Sequence, residues 1–527
     1  MIRISRNALA QGVAVSALML SGAAAAKAPP PVSASVDVPL PPSVTGNAPA
    51  RILDAPMAPG DTAPQMIRPG AAVAKDWWHA FGSPALDALV ERALAANTDV
   101  KAAQARLAQA QALVGATRGG LLPQVDAGLT SERQRLSQTL STPLSNPDPQ
   151  VFSLHTAQVS VSYAPDLFGG GAARLRSAKA AAAVAEAQAQ GIRNLVAGNV
   201  VLAVIQNAAL NAEIAATREA VDNNLQVLTL LHTREKLGAV GHADVAAQTA
   251  AVAAIEGQMP PLLRQRGVNL AALSVLLAQA PGAPLESAPG QPAGQLPGLD
   301  DLTLPADLPV ALPADLLAVR PDVAASAATL EGAAADVKVA MAARLPQITL
   351  SAAAGGTAED FGRMFASGNP FWQILGGLVA PIFHGGTLKK QEQAAKDALE
   401  AAKAEYKGTA LQAFADVSNA LTALATDATA LNVAEHGNQA ASQSLGFTRR
   451  QLELGSVGTL AVLNASATAQ TARAQFVAAR AARLTDTVAL FTALGGGIRA
   501  SAVQPDAASA AVSLPAPLSD GSDATGR

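Results

Sequence analysis

The sequence predicts an internally duplicated chain of mixed α and β structure, built from very long helices and two β-hairpins. Three observations predict it. The two halves of the 527-residue chain repeat each other. Each half carries two short runs in which apolar and polar residues alternate, the period of a strand with one buried face. Each half then carries a long proline-free helical stretch, 172–237 and 388–454.

The duplication governs everything else in the chain. Residues 99–124 lie on 322–347 without a gap at a shift of 223, and eleven of the 26 positions are identical. A second pair aligns at a shift of 217: Leu237-Gly238, Val240-Gly241 and Val245 match Leu454-Gly455, Val457-Gly458 and Val462. A third, looser pair sets Phe168-Gly169-Gly170-Gly171 beside Phe383-His384-Gly385-Gly386.

The elements follow in order. Residues 1–26 read as an export signal: Arg3 and Arg6 precede an apolar run from Ala8 to Leu20, and Ala24-Ala25-Ala26 offers a cleavage site. Leu20-Ser21-Gly22 has the form of a lipoprotein box, but Ala23 stands where the acylated cysteine would be. Residues 27–75 are a Pro/Ala-rich arm. The first repeat spans 76–280. Its opening helix places Val100, Leu107 and Val114 seven apart, as Val323, Leu330 and Val337 are in the second copy. A seven-residue apolar period marks a coiled-coil seam, and the small residues between (Ala103, Ala110; Ser326, Ala333) allow close approach.

Pro123 and Pro346 end these helices, and alternation takes over. Strands are expected near 121–133 and 152–165, joined by the polar loop 134–150, and near 345–356 and 371–383, joined by 357–370. Pro123, Pro165, Pro346 and Pro381 are the expected transitions between strand and helix. A helix of about 66 residues is then roughly 100 Å long at 1.5 Å per residue. No globular domain needs that length. Glycine turns at 238–241 and 455–458 reverse the chain into a returning helix. The Pro-rich segment 281–313 links the repeats, the second repeat spans 314–499, and 500–527 is a Ser/Ala/Asp tail without apolar period.

Composition limits the chemistry. With 37 Lys+Arg against 40 Asp+Glu there is no basic excess for nucleic acid. The absence of cysteine excludes disulfides, thiolate metal sites and a cysteine nucleophile. Alanine supplies much of the 50% hydrophobic content while aromatics reach only 3%, which suits close-packed helices better than an aromatic-rich core. The six histidines form no HExxH pair, and no GxSxG elbow stands out, so no enzyme, cofactor or metal site is expected. Gly169-Gly170-Gly171 lacks the lysine and partner acid of a phosphate loop and reads as a strand-to-helix turn.

Four strands are too few to close a membrane barrel, for which eight is the practical minimum. A symmetric trimer supplies twelve strands and removes the edges. Its helices form a tube, and the polar strand faces line water. The two glycine turns then stand at the far end of the rod, with Leu237 and Val240, and again Leu454 and Val457, as exposed apolar tips.

The chain resembles the TolC-like outer-membrane efflux proteins, especially the NodT/OprM branch, over residues 76–497. The resemblance rests on Trp77-Trp78, Phe81, Pro84, Leu86, Leu89, Ala93-Leu94, Asn97, Asp99, Ala105-Arg106-Leu107 and Ala110. The repeat marker is Arg320-Pro321-Asp322 with Leu345-Pro346. Ala380-Pro381-Ile382-Phe383-His384-Gly385-Gly386 and Leu494-Gly495-Gly496-Gly497 complete it. It implies a homotrimer whose twelve-stranded barrel sits in outer-membrane lipid and whose α-helical tunnel crosses the periplasm. It implies a periplasmic adaptor and an inner-membrane pump of the RND, ABC or MFS type, with this chain as passive exit for small toxic molecules. An exit duct for type I protein secretion is the alternative, and a periplasmic coiled-coil scaffold the second. Leu237, Gly238, Val240, Gly241, Leu454, Gly455, Val457 and Gly458 match the adaptor-facing tips. Two aspartates that ring the entrance in TolC fall on Ala461 and Asn464, and Asp244 is the acid at the matching first-copy position.

Overall fold

In the computed structural model of the chain, the described residues are 36–39, 65–71, 73–135, 151–284, 296–310 and 313–496. The expected signal 1–26, most of the arm and the tail 500–527 lie outside them, as do most of the loop 134–150 and residues 285–295.

The helices are α1 (Pro84–Ala96), α2 (Thr98–Gly119), α3 (Gly170–Lys236), α4 (His242–Glu256), α5 (Met259–Leu276), α6 (Pro313–Val319), α7 (Pro321–Ala342), α8 (Thr387–Glu453) and α9 (Thr459–Ala493). The strands are β1 (Met66–Pro69), β2 (Gln124–Arg135), β3 (Val151–Tyr163), β4 (Asp307–Val310), β5 (Gln347–Ala358) and β6 (Pro370–Val379). Local chemistry sets many of the starts. Asn97 caps α2 by accepting from the backbone N–H groups of Asp99 (2.8 Å) and Val100 (3.2 Å). Pro84 and Pro321 open α1 and α7, where no intrahelical N–H is required.

The repeat is structural as well as sequential. α2 and α7 begin and end 223 positions apart, and α3 and α8 begin and end 217 apart, each with 67 residues. The β2–β3 and β5–β6 ladders give the same two shifts, since Gln124 opposes Ser162 as Gln347 opposes Val379. This corrects the third sequence pairing. Gly169 and Gly386, both left-handed at φ 76° and 84°, are the true equivalents as the N-caps of α3 and α8. Phe168 therefore does not correspond to Phe383, although the letters invite it.

The larger sheet has the order β2-β3-β5-β6, all antiparallel. The upper helices follow the same order: α2 runs against α3, α3 against α7, and α7 against α8. In the lower half α9 returns along α8 and α3, while α4 and α5 return along α3. The first return is thus two helices where one was expected. The break falls at Gly257-Gln258, and Pro260-Pro261 in the first turn of α5 lack the N–H that would continue α4.

The apolar core is a belt around the middle of the long helices. Val200, Val201, Val204 and Ile205 of α3 meet Val417, Leu421 and Leu424 of α8 and Leu484, Val488 and Phe491 of α9. Several of the few aromatics lie there, with Trp77 stacked on Phe491 at 5.3 Å and Trp78 and Phe81 beside them. An apolar stretch of α3 long enough to cross a membrane is two-thirds buried among these neighbours. Nearer the sheet, alanines take over, with Ala173, Ala180 and Ala187 buried seven apart on α3.

Two further strands correct the count of four. β1 and β4 form a separate parallel pair, fixed by Arg68 Nε donating to Asp307 Oδ1 at 2.8 Å. They fall in the stretches read as arm and linker. Their four-residue length and prolines hide them from any periodicity, and what forms them is pairing across the chain.

Candidate functional site

Two regions carry the candidate chemistry: the four-stranded sheet at one end of the rod and the two helix tips at the other.

The sheet has unlike faces. Rows across it read Val125–Val161–Ala352–Ile374 and Ala127–Val159–Ala354–Trp372 on one side. On the other side they read Asp126–Ser160–Ala353–Gln373 and Gln124–Ser162–Ser351–Leu375. Leu375 and Phe371 interrupt the polar face, while Thr156 and Thr357 share a hydroxyl hydrogen bond of 3.0 Å on it. Strands of 10 to 13 residues match the 9–11 that a tilted strand needs to cross hydrocarbon. Large apolar side chains stand exposed along the first face, among them Val125, Leu129, Val159, Leu350, Trp372 and Ile374. Water does not favour such a surface. Among the described residues, β2 and β6 leave one edge each unpaired.

The predicted transition prolines sit at the borders of this sheet. Pro123 lies between α2 and β2, Pro165 between β3 and α3, Pro346 directly before β5, and Pro381 between β6 and α8.

At the tips, both long helices end in the same motif. Gly238 and Gly455 adopt φ of 71° and 76°. Gly238 N–H donates to Glu235 O and Ala239 N–H to Arg234 O (2.9 and 2.8 Å); Gly455 and Ser456 repeat this to Leu452 and Gln451 (3.0 and 2.9 Å). This Schellman closure needs a residue without Cβ strain. Gly241 and Gly458 then serve as N-caps of α4 and α9. Replacing Gly238 or Gly455 by Ala is expected to cost about 1–2 kcal/mol locally. Amide hydrogen exchange should speed up at the altered tip and stay unchanged in the sheet.

The tips are only half as exposed as the sequence suggests. Leu237 and Leu454 are 79% and 83% exposed. Val240 and Val457 instead fold back and are half-buried against Val227, Leu231, Val245, Leu452 and Val462. The correction has a simple cause: a tight turn brings its fourth residue back over the helices, and an apolar side chain there gains burial. Arg234 joins the two tips by donating to Leu452 O and Glu453 O at the end of α8 (3.1 and 3.3 Å), where a cation suits the helix dipole. Further in, Asn224 of α3 donates to Ser466 Oγ of α9 (3.1 Å) and Gln248 of α4 donates to Asn224 Oδ1 (3.1 Å), a buried network holding three helices together.

The entrance candidates are close to the tips. Asp244 is half-buried and accepts weakly from Gly241 N–H at 3.4 Å, Ala461 is half-buried, and Asn464 is exposed. Glu235 pairs with His242 and, at 3.4 Å, with His232 on the first tip; Leu452 stands at its place on the second. Sequence reading missed this histidine clasp because its members flank a turn. It also missed the Asp427 carboxyl between α8 and α9, pushed up to about 7 by burial and by the neighbouring Asp486. Among the described residues no three His, Cys, Asp or Glu side chains are placed so that they could hold a metal ion.

Comparison with known proteins gives a consistent picture. A family model described as outer membrane efflux protein matches residues 89–279 and 312–496. The pyoverdine export outer membrane protein OpmQ of Pseudomonas aeruginosa is 32% identical over 451 residues, covering 84% of this chain and 93% of that one. The toluene efflux pump outer membrane protein TtgF of Pseudomonas putida is 31% identical over 429 residues, covering 80% and 85%. The crystal structure of the Campylobacter jejuni CmeC outer membrane channel superposes with a TM-score of 0.75 at 22% identity, covering 87% and 96%. The open state of the Neisseria gonorrhoeae MtrE outer membrane channel gives 0.72 at 23%, covering 88% and 99%. These two establish likeness of fold.

Proposed function

We propose a function from one premise: the chain belongs to the outer membrane efflux protein family. It is an outer-membrane efflux channel protein, a class that carries out transport and no catalysis. Three copies close a twelve-stranded barrel in outer-membrane lipid, and their helices form a tube across the periplasm. The observation that carries this reading is the sheet itself, apolar on one face, polar on the other, with two unpaired edges. An open sheet of this kind is incomplete alone and satisfied by closure.

The duct is passive, and small toxic molecules are its cargo. The named exports of the relatives, pyoverdine and toluene, favour small molecules over secreted proteins. A periplasmic adaptor docks on the tips at Leu237, Gly238, Val240 and Gly241 and at Leu454, Gly455, Val457 and Gly458, and an inner-membrane pump supplies the energy. Asp244, Ala461 and Asn464 line the periplasmic entrance, with less negative charge than a ring of aspartates would give. A periplasmic scaffold is disfavoured, since it has no use for an apolar sheet face.

Deletion of the gene should raise susceptibility to several unrelated toxic small molecules while leaving protein secretion intact. The double variant Leu237→Asp, Leu454→Asp should reproduce that susceptibility although the protein reaches the outer membrane in normal amount. Unchanged susceptibility in the tip variant would remove the docking assignment. Selective loss of a secreted protein in the deletion strain would favour the secretion duct.

A further inference from the structure

The apolar face of the sheet ends sharply at the rim away from the helices. From the row Ile348–Leu378 to the row Leu129–Ala157–Gly356–Pro370 it carries no charged side chain. Those rows are about 26 Å apart along β5 at 3.3 Å per residue, and a barrel needs an outward apolar band of about 25 Å. The next rows on the same face are Ser131–His155–Ala358, Arg133–Ser153 and Arg135–Val151. The opposite face changes the other way, to Glu132–Leu154 and Gln134–Phe152. Two arginines therefore stand just beyond the apolar band, on its own side.

The loop between β5 and β6 adds to this side. A Cβ on Gly356 would run into the Met364 carbonyl and meet the Phe365 ring, so the loop folds back over the apolar face. Met364 is buried there. Phe361 meets the ring of His155 edge-on at 5.8 Å, and His155 Nδ1 lies 2.9 Å from Ser131 Oγ on β2. Phe361 and Phe365 stay 56% and 67% exposed, and Arg363 between them is exposed as well. Among the described residues neither Arg133 nor Arg363 has an ion-pair partner, although Glu359 and Asp360 belong to the same loop as Arg363.

We propose that this rim binds the phosphorylated sugar headgroup of an outer-leaflet glycolipid, its phosphates on Arg133, Arg135 and Arg363 and its acyl chains on the apolar rows below. The guanidinium fork matches phosphate oxygens in pairs. Arg133 and Arg135 are about 7 Å apart along β2, and Arg363 adds a third cation from the loop. That spread suits a headgroup with more than one phosphate better than a single phosphodiester. The Ser131 and Ser153 hydroxyls share the face and suit a sugar. Phe361 and Phe365 sit where aromatic rings favour the boundary between headgroup and acyl chain. A protein partner on the rim would leave the apolar rows below it uncovered. The inference rests on the reading of the apolar face as lipid-facing and adds the lipid class and the residues that select it.

Native mass spectrometry of the assembled protein in detergent reads the binding, with diphosphoryl lipid A, monophosphoryl lipid A and phosphatidylglycerol as probes. Diphosphoryl lipid A should be held most tightly. The double variant Arg133→Gln, Arg363→Gln should weaken it about thirtyfold, the attraction of two arginines at an anionic membrane surface. Native gels check that each variant is still an oligomer. Should the double variant fail to assemble, Arg133→Gln and Arg363→Gln singly should each weaken binding about fivefold. Glu132→Gln, on the other face, should leave retention unchanged, and a loss equal to that of the arginines would overturn the assignment to one face. Undiminished retention of lipid A in the arginine variants would overturn the proposal. Equal retention of phosphatidylglycerol and lipid A would overturn the glycolipid class. An oligomer that holds none of the three lipids would also overturn the site, whereas recovery as a soluble monomer would overturn the lipid-facing reading beneath it.

Discussion

Val159→Arg is expected to abolish accumulation in the outer membrane, whereas Ser160→Arg, one residue further on, is expected to leave it intact. Val159 lies in the row Ala127–Val159–Ala354–Trp372, in the middle of the apolar face. Ser160 lies between Asp126 and Ala353 on the polar face, where a cation finds water and a nearby carboxylate. An arginine facing lipid near the midplane costs about 2–4 kcal/mol per site. In the proposed trimer that cost recurs in every copy, so the penalty is a large fraction of any marginal stability. Fractionation with an oligomer-preserving gel reads the outcome. Normal assembly of Val159→Arg together with failure of Ser160→Arg would reverse the assignment of the faces.

The second large effect is expected at Arg320, whose removal should destabilise the helical belt by about 3 kcal/mol. Arg320 is buried and precedes Pro321 at the start of α7. Its guanidinium donates to Asp322 (2.7 and 3.0 Å), to Asp416 of α8 (2.9 Å) and to Ala493 O at the end of α9 (2.9 Å). One side chain thus ties three helices. Truncating one partner of a buried pair costs about 3–5 kcal/mol, and the lower end applies because both aspartates keep some contact with water. Arg320→Lys should recover only part, since it cannot bridge both carboxylates and the carbonyl.

The same site gives a pH dependence with a fixed sign. Burial works against the charge of Asp322, but the Arg320 hydrogen bonds and charge, with the Val323 N–H, more than offset it and hold its carboxyl below the ordinary range. A carboxyl lowered by folding stabilises above its unfolded value, near 4, and that contribution fades as pH falls towards the folded value. Wild type should therefore lose part of its thermal stability below about pH 4, and Arg320→Ala should lose less over that interval. Equal acid slopes for both would show that the pair contributes nothing.

The mixed α and β class was legible because its signals are local. Alternation in Val159, Val161 and Tyr163 marks a strand whatever lies beside it, and the proline-free runs mark helices. The glycine tips were legible for the same reason, since a left-handed closure admits few other residues. The half-burial of Val240 and Val457 was not, because it depends on how a turn folds over its own helices. Nor was the Arg320 tie, whose partners lie 96 and 173 positions away.

The sequence by itself determined the duplication, the long helices, the alternating strands, the tips and the absence of any thiol. These follow from residue type and spacing along the chain. Only the tertiary structure decided the strand order that leaves β2 and β6 as free edges, the pairing of β1 with β4 across the linker, and the true equivalence of Gly169 with Gly386. Those depend on which distant segments meet, and periodicity fixes the face a segment offers without naming the segment that covers it.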